Sequence, residues 1–253
     1  MKNNKKIFVI IMAAGKGTRI GATDKPKVMF EVLGKPIIEW AISPLEQLKK
    51  EGIVDRIITV IGFLGNQLID YLDDRCEFVW QKEQLGTAHA VKMAEQSLAG
   101  EDGYTIIVNG DHALYIQKTY EKMIDTAIGR NLTLGFATVV CDRFNSYGRV
   151  IRDRNGQPLE IIEVPEATEE QKKIREKSIN LYIVDNKWLF SVLPKIEQSA
   201  VKKEYYIVDI VKMAISEGKR VEAIQIDNKD EALGINTPED RTETEEILRR
   251  REN

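Results

Sequence analysis

Three short stretches, Ile7–Met12, Ile57–Ile61 and Thr105–Val108, are rich in Ile and Val and almost free of polar positions. A strand that is apolar on both faces must be covered on both, so these runs predict buried strands. Between them the apolar spacing lengthens. "TAHAVKMAEQSLAG" sets Val91, Ala94 and Leu98 on one helical face, with Thr87 placed to cap the start and Gly100 to stop it. "EYYIVDIVKMAISEGK" repeats the pattern through Ile207, Ile210, Val211 and Ala214 and ends at Gly218. Alternation of this kind predicts an α/β fold: a mostly parallel mixed sheet with helices on both faces, in three layers.

The middle of the chain breaks the rhythm. Val150–Ile151 and Leu159–Ile162 flank "RNGQ", a hairpin signal at Asn155–Gly156, and a charged helical stretch is expected from Ala167 to Lys177. Residues 147–178 therefore read as a hairpin and helix inserted over the mouth of the sheet. No Pro/Ser-rich linker and no internal repeat divides the chain, which predicts a single domain over residues 1–253. The closing "EDRTETEEILRRREN" reads as a solvated helix with paired charges.

Composition narrows the partners. At 253 residues, 43% of them apolar, the chain can bury a sizeable core. Its 37 Lys and Arg against 40 Asp and Glu leave a net charge of -3, which gives no reason to expect nucleic acid or a membrane surface. Any anion site must be local. Cys76 and Cys141 are too few for a disulfide framework and suit a reducing, cytoplasmic setting as buried fillers. Lys2, Lys5 and Lys6 before Ile7–Ala14 imitate a secretory leader, but Lys16 and Arg19 follow where small neutral residues belong.

A local anion site is what the opening stretch offers. "IFVIIMAAGKGTRIGATDKPKVMFEVLGKP" passes from a strand to glycines and then to Lys16, Arg19, Lys25 and Lys27, against one acid, Asp24. It lacks the spacer and Gly-Lys-Ser/Thr of a P-loop. It misses the dinucleotide fingerprint too, because Ile20 stands at the third glycine and Pro26 opposes a helix. What remains is a glycine loop whose backbone N–H groups can approach phosphates, or, alone, a surface loop with solvated lysines.

The loop is one of several segments. "AAGKGTR" with "KPK", "QKEQLGTAHA", "NGDHAL", "YGRV", "IIEVPEAT", "EYYIVDI" and "GINTPED" occur in the order found in the sugar-phosphate nucleotidyltransferases. The chain resembles that family, and within it the uridyltransferase domains acting on N-acetylglucosamine-1-phosphate. The resemblance implies a Rossmann-like fold. It also implies attack of a sugar-1-phosphate oxygen on the α-phosphorus of UTP, aided by Mg²⁺, to give a UDP-sugar and pyrophosphate. Such transfer needs alignment and charge neutralisation more than covalent help.

Carried over by position, the resemblance assigns Arg19 and Lys27 as the catalytic phosphate cations. Ala13, Ala14, Gly15, Lys16, Gly17 and Thr18 would embrace the phosphates, and Gln81, Gly86 and Thr87 the base. Asp111 and the side-chain oxygen of Asn236 would hold the metal. Asn236 stands before Thr237 as N-cap, Pro238 in the first turn and Asp240 three residues on. Asn109, Gly148, Glu163, Asn180 and Tyr206 match the sugar side. His89 is expected to pack within its helix, and His112 has no assigned role.

Departures gather at the acceptor. Leu181-Tyr182 stands where the family has Thr-Gly, Val208 where it has threonine, Asn109 for tyrosine and Ala113 for proline, with about two extra residues before Asn180. Lost hydroxyls shift sugar specificity. Alternatives are therefore another sugar-1-phosphate, an alcohol phosphate with CTP, dTTP or UTP, or a non-catalytic nucleotide-sugar-binding subunit. No hexapeptide-repeat acetyltransferase segment follows, so acetyl transfer is not expected, and the sequence leaves the oligomeric state open. The transferase readings require positions 111 and 236 to converge opposite Arg19 and Lys27.

Overall fold

The computed structural model describes residues 5–252, so Lys2 of the leader-like start lies outside it. Along the chain run β1 (Lys6–Met12), β2 (Glu31–Val32), β3 (Lys35–Pro36), α1 (Ile37–Lys50), β4 (Arg56–Ile61), α2 (Asn66–Leu72) and β5 (Glu77–Trp80). Then come α3 (Thr87–Lys92), α4 (Glu95–Leu98), β6 (Gly103–Asn109), α5 (Gln117–Arg130) and β7 (Leu134–Val140). The hairpin β8 (Arg149–Arg152) and β9 (Pro158–Ile162) leads to α6 (Glu169–Lys172), β10 (Glu176–Asp185) and α7 (Asn186–Val192). Finally α8 (Asp209–Ser216), β11 (Val221–Gln225) and α9 (Pro238–Glu252) close the fold.

The main sheet has the order β11-β7-β10-β6-β1-β4-β5. Strand β1 pairs in parallel with both neighbours, Ile10 facing Ile107 of β6 and Ile58 of β4. Along this seven-strand path β10 runs against its neighbours on both sides, and the other pairs are parallel, so the sheet is mixed and mostly parallel. Alternate residues of β1 enter opposite cores, as a doubly covered strand requires. Val9 and Ile11 join Ile42 and Leu45 of α1 and Met123 of α5, while Phe8 and Ile10 join Val91 of α3, Leu189 of α7 and Val211 of α8. Two core layers thus sandwich one sheet, the three-layer α/β fold expected.

A smaller apolar cluster lies beyond the strand ends. It brings together Ile20, Val32, Ile37, Leu114, Ile235, Ile247 and Leu248. Here the C-terminal helix departs from the solvated reading. Ile247 and Leu248 are buried, Thr244 is fully covered, and Arg251 donates to the Leu114 carbonyl at 2.8 Å. Two apolar residues among many charges are a weak periodic signal, and the surface they cover comes from distant segments.

Other local readings also need correction. The segment expected as one helix to Gly100 is split into α3 and α4, and Thr87 is not its cap. Gly86 holds the cap position, and the Thr87 hydroxyl accepts the Ile207 N–H at 2.9 Å. The charged helix expected over 167–177 is only the short α6, closed by a capping box between Thr168 and Gln171. Its last residues enter β10, where Lys177 is buried and donates to the Cys141 carbonyl at 2.6 Å. The hairpin forms around Gly156 as read, but the turn is an Asp turn: the Asp153 carboxylate accepts N–H from Asn155 and Gln157, both at 2.8 Å. The hairpin attaches to the sheet through Arg149 opposite Lys177.

Lys5 and Lys6 pair with Asp102 and Glu101, and Cys76 and Cys141 are free and buried. Among the described residues no helix is long and apolar enough to cross a membrane.

Asn186 knits one face together. Fully buried, it accepts from Thr105 at 2.6 Å and donates to the carbonyls of Leu98 and Glu101 at 2.8 and 3.0 Å. Asn186→Ala strands three buried polar groups and should cost about 3 kcal/mol of stability in urea unfolding; a loss below ~1 kcal/mol would refute this account.

Candidate functional site

Three loops meet at the C-terminal ends of β1 and β6, where open α/β sheets bind ligands. The first leaves β1 through Ala13 and Ala14 and turns at Gly17, whose φ of +69° suits glycine. A Cβ there would sit 2.6 Å from Lys27 Cβ, so the bare glycine lets Lys27 lie against the loop. One tight turn, Thr18–Ile20, then buries Ile20 and leaves Arg19 free to reach inward. The second loop leaves β6 at Asn109, and Gly110 N–H bonds back to the Met12 carbonyl at 2.9 Å. Asp111 follows. The third carries Asn236, and Ile235 N–H donates to the Asp111 carbonyl at 3.0 Å.

The cap read from "TPED" holds Asn236 in place. Asp240 Oδ2 accepts the N–H groups of Asn236 at 2.8 Å and Thr237 at 2.9 Å, and Thr237 Oγ1 accepts the Asp240 N–H at 3.2 Å. Asp111 and Asn236 do converge, and the cations meet them. Lys27 Nζ donates to Asp111 Oδ2 and, at 3.1 Å, to Asn236 Oδ1, which also accepts from Arg19 at 2.8 Å.

Burial alone would raise the pKa of Asp111, but the Lys27 charge and the Lys27 hydrogen bond hold it below the usual range. It is a carboxylate. Its Oδ1 is buried without a hydrogen-bond partner. An orphaned carboxylate oxygen beside an amide oxygen is a hard donor pair that fits a small divalent cation. His112 lies beneath at 1% exposure, its pKa pushed down first by burial.

These groups line a cavity of about 360 Å³ together with Ala13, Ala14, Gly15, Gln81, Gly86 and Thr87. Lys16, Gly17 and Thr18 stand outside its lining. Gln81 is buried, and its Nε2 lies 3.0 Å from both the Gly86 carbonyl and His89 Nδ1. His89, read as mere packing, therefore orients Gln81. Gly86 has φ +111°, and a Cβ there would be 2.5 Å from the Tyr205 carbonyl oxygen. The close approach that requires glycine is to the segment before α8.

The acceptor set divides. Asn109 and Asn180 line the cavity, with Asn180 at φ +57° in the bulge of β10 between Ser178 and Tyr182. Gly148, Glu163 and Tyr206 do not. Leu181, Tyr182 and Val208 are buried in the core. The sequence reading missed Gln84, Ser146, Tyr147 and Glu204, which complete the lining. Tyr147 clamps the third loop: its hydroxyl donates to the Ala232 carbonyl at 2.7 Å and accepts the Gly234 N–H at 2.9 Å. "YGRV" contains both Tyr147 and Arg149, whose guanidinium donates to the carbonyls of Asn145, Tyr147 and Lys172 and so shapes this wall.

The sequence profile of the family described as nucleotidyl transferase matches residues 8–248. The bifunctional protein GlmU of Geobacillus sp. (strain WCH70) is 34% identical over 246 residues, covering 97% of this chain and 52% of that protein. The GlmU of Limosilactobacillus reuteri (strain DSM 20016) is 36% identical over 244 residues, covering 96% and 52%. The chain thus spans about half the length of these relatives. A crystal structure of UDP-glucose pyrophosphorylase complexed with UDP-glucose superposes with a TM-score of 0.76 at 18% identity, over 97% of this chain and 99% of that one. It shares the fold.

Burial, with Asp209, Glu166 and Glu204 nearby, raises Glu163 from its ordinary 4.5 to about 7. The folded chain thus binds a proton that the unfolded chain has released, and stability falls as pH rises from about 4.5 through 7. Glu163→Gln removes that loss. Its melting temperature should match the parent at pH 4 and exceed it above pH 7, and a difference independent of pH would contradict the assignment.

Proposed function

The chain belongs to the nucleotidyl transferase family, and from that premise we propose that it is a Mg²⁺-dependent nucleotidyltransferase joining UTP to a sugar-1-phosphate, with N-acetylglucosamine-1-phosphate the leading acceptor. An acceptor phosphate oxygen bonds to the α-phosphorus, the bond to the bridging oxygen breaks, and pyrophosphate carries away that electron pair. One observation carries the reading: a lysine, an arginine, a carboxylate and an amide oxygen from three distant segments meet at the strand ends beside a cavity of substrate size.

Arg19 and Lys27 bind the triphosphate and neutralise the charge that builds on the leaving group. Ala14 and Gly15, which line the cavity, present backbone N–H groups to it, while the Ala13 N–H is taken by the Val60 carbonyl and Lys16, Gly17 and Thr18 flank the loop outside the lining. Asp111 and Asn236 would hold Mg²⁺, which when bound neutralises phosphate charge and aligns the reacting groups. In the free chain Lys27 and Arg19 cover these oxygens, and they are released to the phosphates when substrate arrives. Gln81, its two Nε2 hydrogens held by the Gly86 carbonyl and His89, offers its side-chain oxygen as an acceptor to the base, with Thr87 beside it. Asn109 and Asn180 take acceptor hydroxyls, while Gly148, Glu163 and Tyr206 lie outside the cavity lining. Residues 1–253 act as one domain with 147–178 as its insertion, working on small molecules in the cytoplasm.

A second acceptor has support as well. Leu181 and Val208 stand, buried, where threonines were expected, so two hydroxyls are missing there. Another hexose-1-phosphate, or an alcohol phosphate with CTP or dTTP, then fits the same chemistry.

Pyrophosphate release across a grid of triphosphates and acceptors should peak with UTP and a hexose-1-phosphate. No release with any pair would leave a non-catalytic binding subunit and refute the transferase reading. Asp111→Asn should lower turnover by about 10³-fold with unchanged circular dichroism; full activity in that variant would refute the metal assignment.

A further inference from the structure

We propose that His112 is a third protein donor to the divalent cation, which makes the site favour Mn²⁺ or Co²⁺ over Mg²⁺. This rests on the reading that Asp111 and Asn236 hold a cation, and adds to it a residue for which that reading has no use.

The two oxygens of Asp111 are in unequal positions. Lys27 holds Oδ2, while Oδ1 is buried and has no partner. His112 Nε2 faces that same Oδ1 at 3.8 Å. The gap is too long for a hydrogen bond. A cation bonded to each at roughly 2.1 Å spans it. Two electron-pair donors pointing at one gap in a buried place repel each other until a positive charge enters between them.

The imidazole is built in rather than loosely packed. Its ring stacks on Tyr115 with centroids 5.0 Å apart and planes within 7°. The Tyr115 hydroxyl is itself tied to the Ile179 carbonyl, on the bulged strand β10. Gly234 leaves the room the ring needs, since a Cβ there would lie 2.9 Å from Nε2. Its other nitrogen, Nδ1, is buried without a hydrogen-bond partner, so the stack on Tyr115 and the close fit at Gly234 hold the ring.

An imidazole among oxygens changes which ion is preferred. Mg²⁺ gains little from nitrogen, whereas Mn²⁺ and Co²⁺ bind a mixed nitrogen and oxygen set more tightly along the usual divalent series. His112 would therefore set metal selectivity while the oxygen ligands set metal capture.

The test uses the full chain with UTP and Mn²⁺. Pulsed electron paramagnetic resonance of bound Mn²⁺ should show nitrogen hyperfine coupling that changes frequency when the histidines are isotopically labelled. Both the coupling and its label dependence should vanish in His112→Leu. By titration, that variant should lose about 10-fold in Mn²⁺ affinity, with Mg²⁺ affinity changed less than about twofold. Absence of histidine coupling in the parent protein would overturn the proposal, even where Asp111→Asn shows that Mn²⁺ sits at Asp111. Equal losses of Mn²⁺ and Mg²⁺ in His112→Leu would overturn it too. Mn²⁺ binding indifferent to Asp111→Asn would overturn this proposal together with the metal assignment beneath it. The labelling measurement on the parent protein decides the matter even if the leucine variant fails to fold.

Discussion

A single backbone hydrogen bond, from the Ile235 N–H to the Asp111 carbonyl, joins two segments more than a hundred positions apart and gives the site its shape. Alone it is a modest interaction, of about 1 kcal/mol. It holds because the apolar cluster around it excludes water and draws Ile20, Leu114, Ile235 and Leu248 to one place. Ile20, Leu114 and Ile235 each stand within a few positions of a site residue, and Leu248 lies on the helix that starts just after Asn236. The cluster brings the loops together, and the polar groups then settle their own distances.

Charge has to be read locally in this molecule. The chain as a whole is slightly acidic, yet its central cavity has Arg19 and Lys27 on one wall. In the free chain these cations satisfy the carboxylate and the amide oxygen that face them. A bare cationic cradle would be costly to keep half-buried, and so would an unpaired Asp111. Mutual pairing stabilises both.

The two ends of the cavity differ in how firmly they are framed. At the proposed nucleotide end, Gln81 and Gly86 are fixed by backbone and side-chain contacts to α3 and to Tyr205. At the proposed acceptor end, the wall comes from a hairpin joined to the sheet at one register position, from the clamp of Tyr147, and from a strand bulge. Tyr182 and Val208 are part of the core there.

Much of this was legible in the residues. Strands β1, β4 and β6 announce themselves as apolar on both faces, and Thr237, Pro238 and Asp240 mark the start of α9 by hydrogen bonds that local sequence encodes. The glycine loop, its cations, Asp111 and Asn236 are marked by motif and order. Periodicity and capping act over a few residues, which is why those readings succeed. What the sequence could not decide was contact between distant parts. The burial of Ile247 and Leu248, the turn of 173–177 from helix to strand, the use of Thr87 to hold Ile207 and of His89 to hold Gln81, and the place of His112 beneath Asp111 all depend on surfaces supplied by other segments. Local hydrogen bonding selects the elements, but only the tertiary packing selects which side chains face one another.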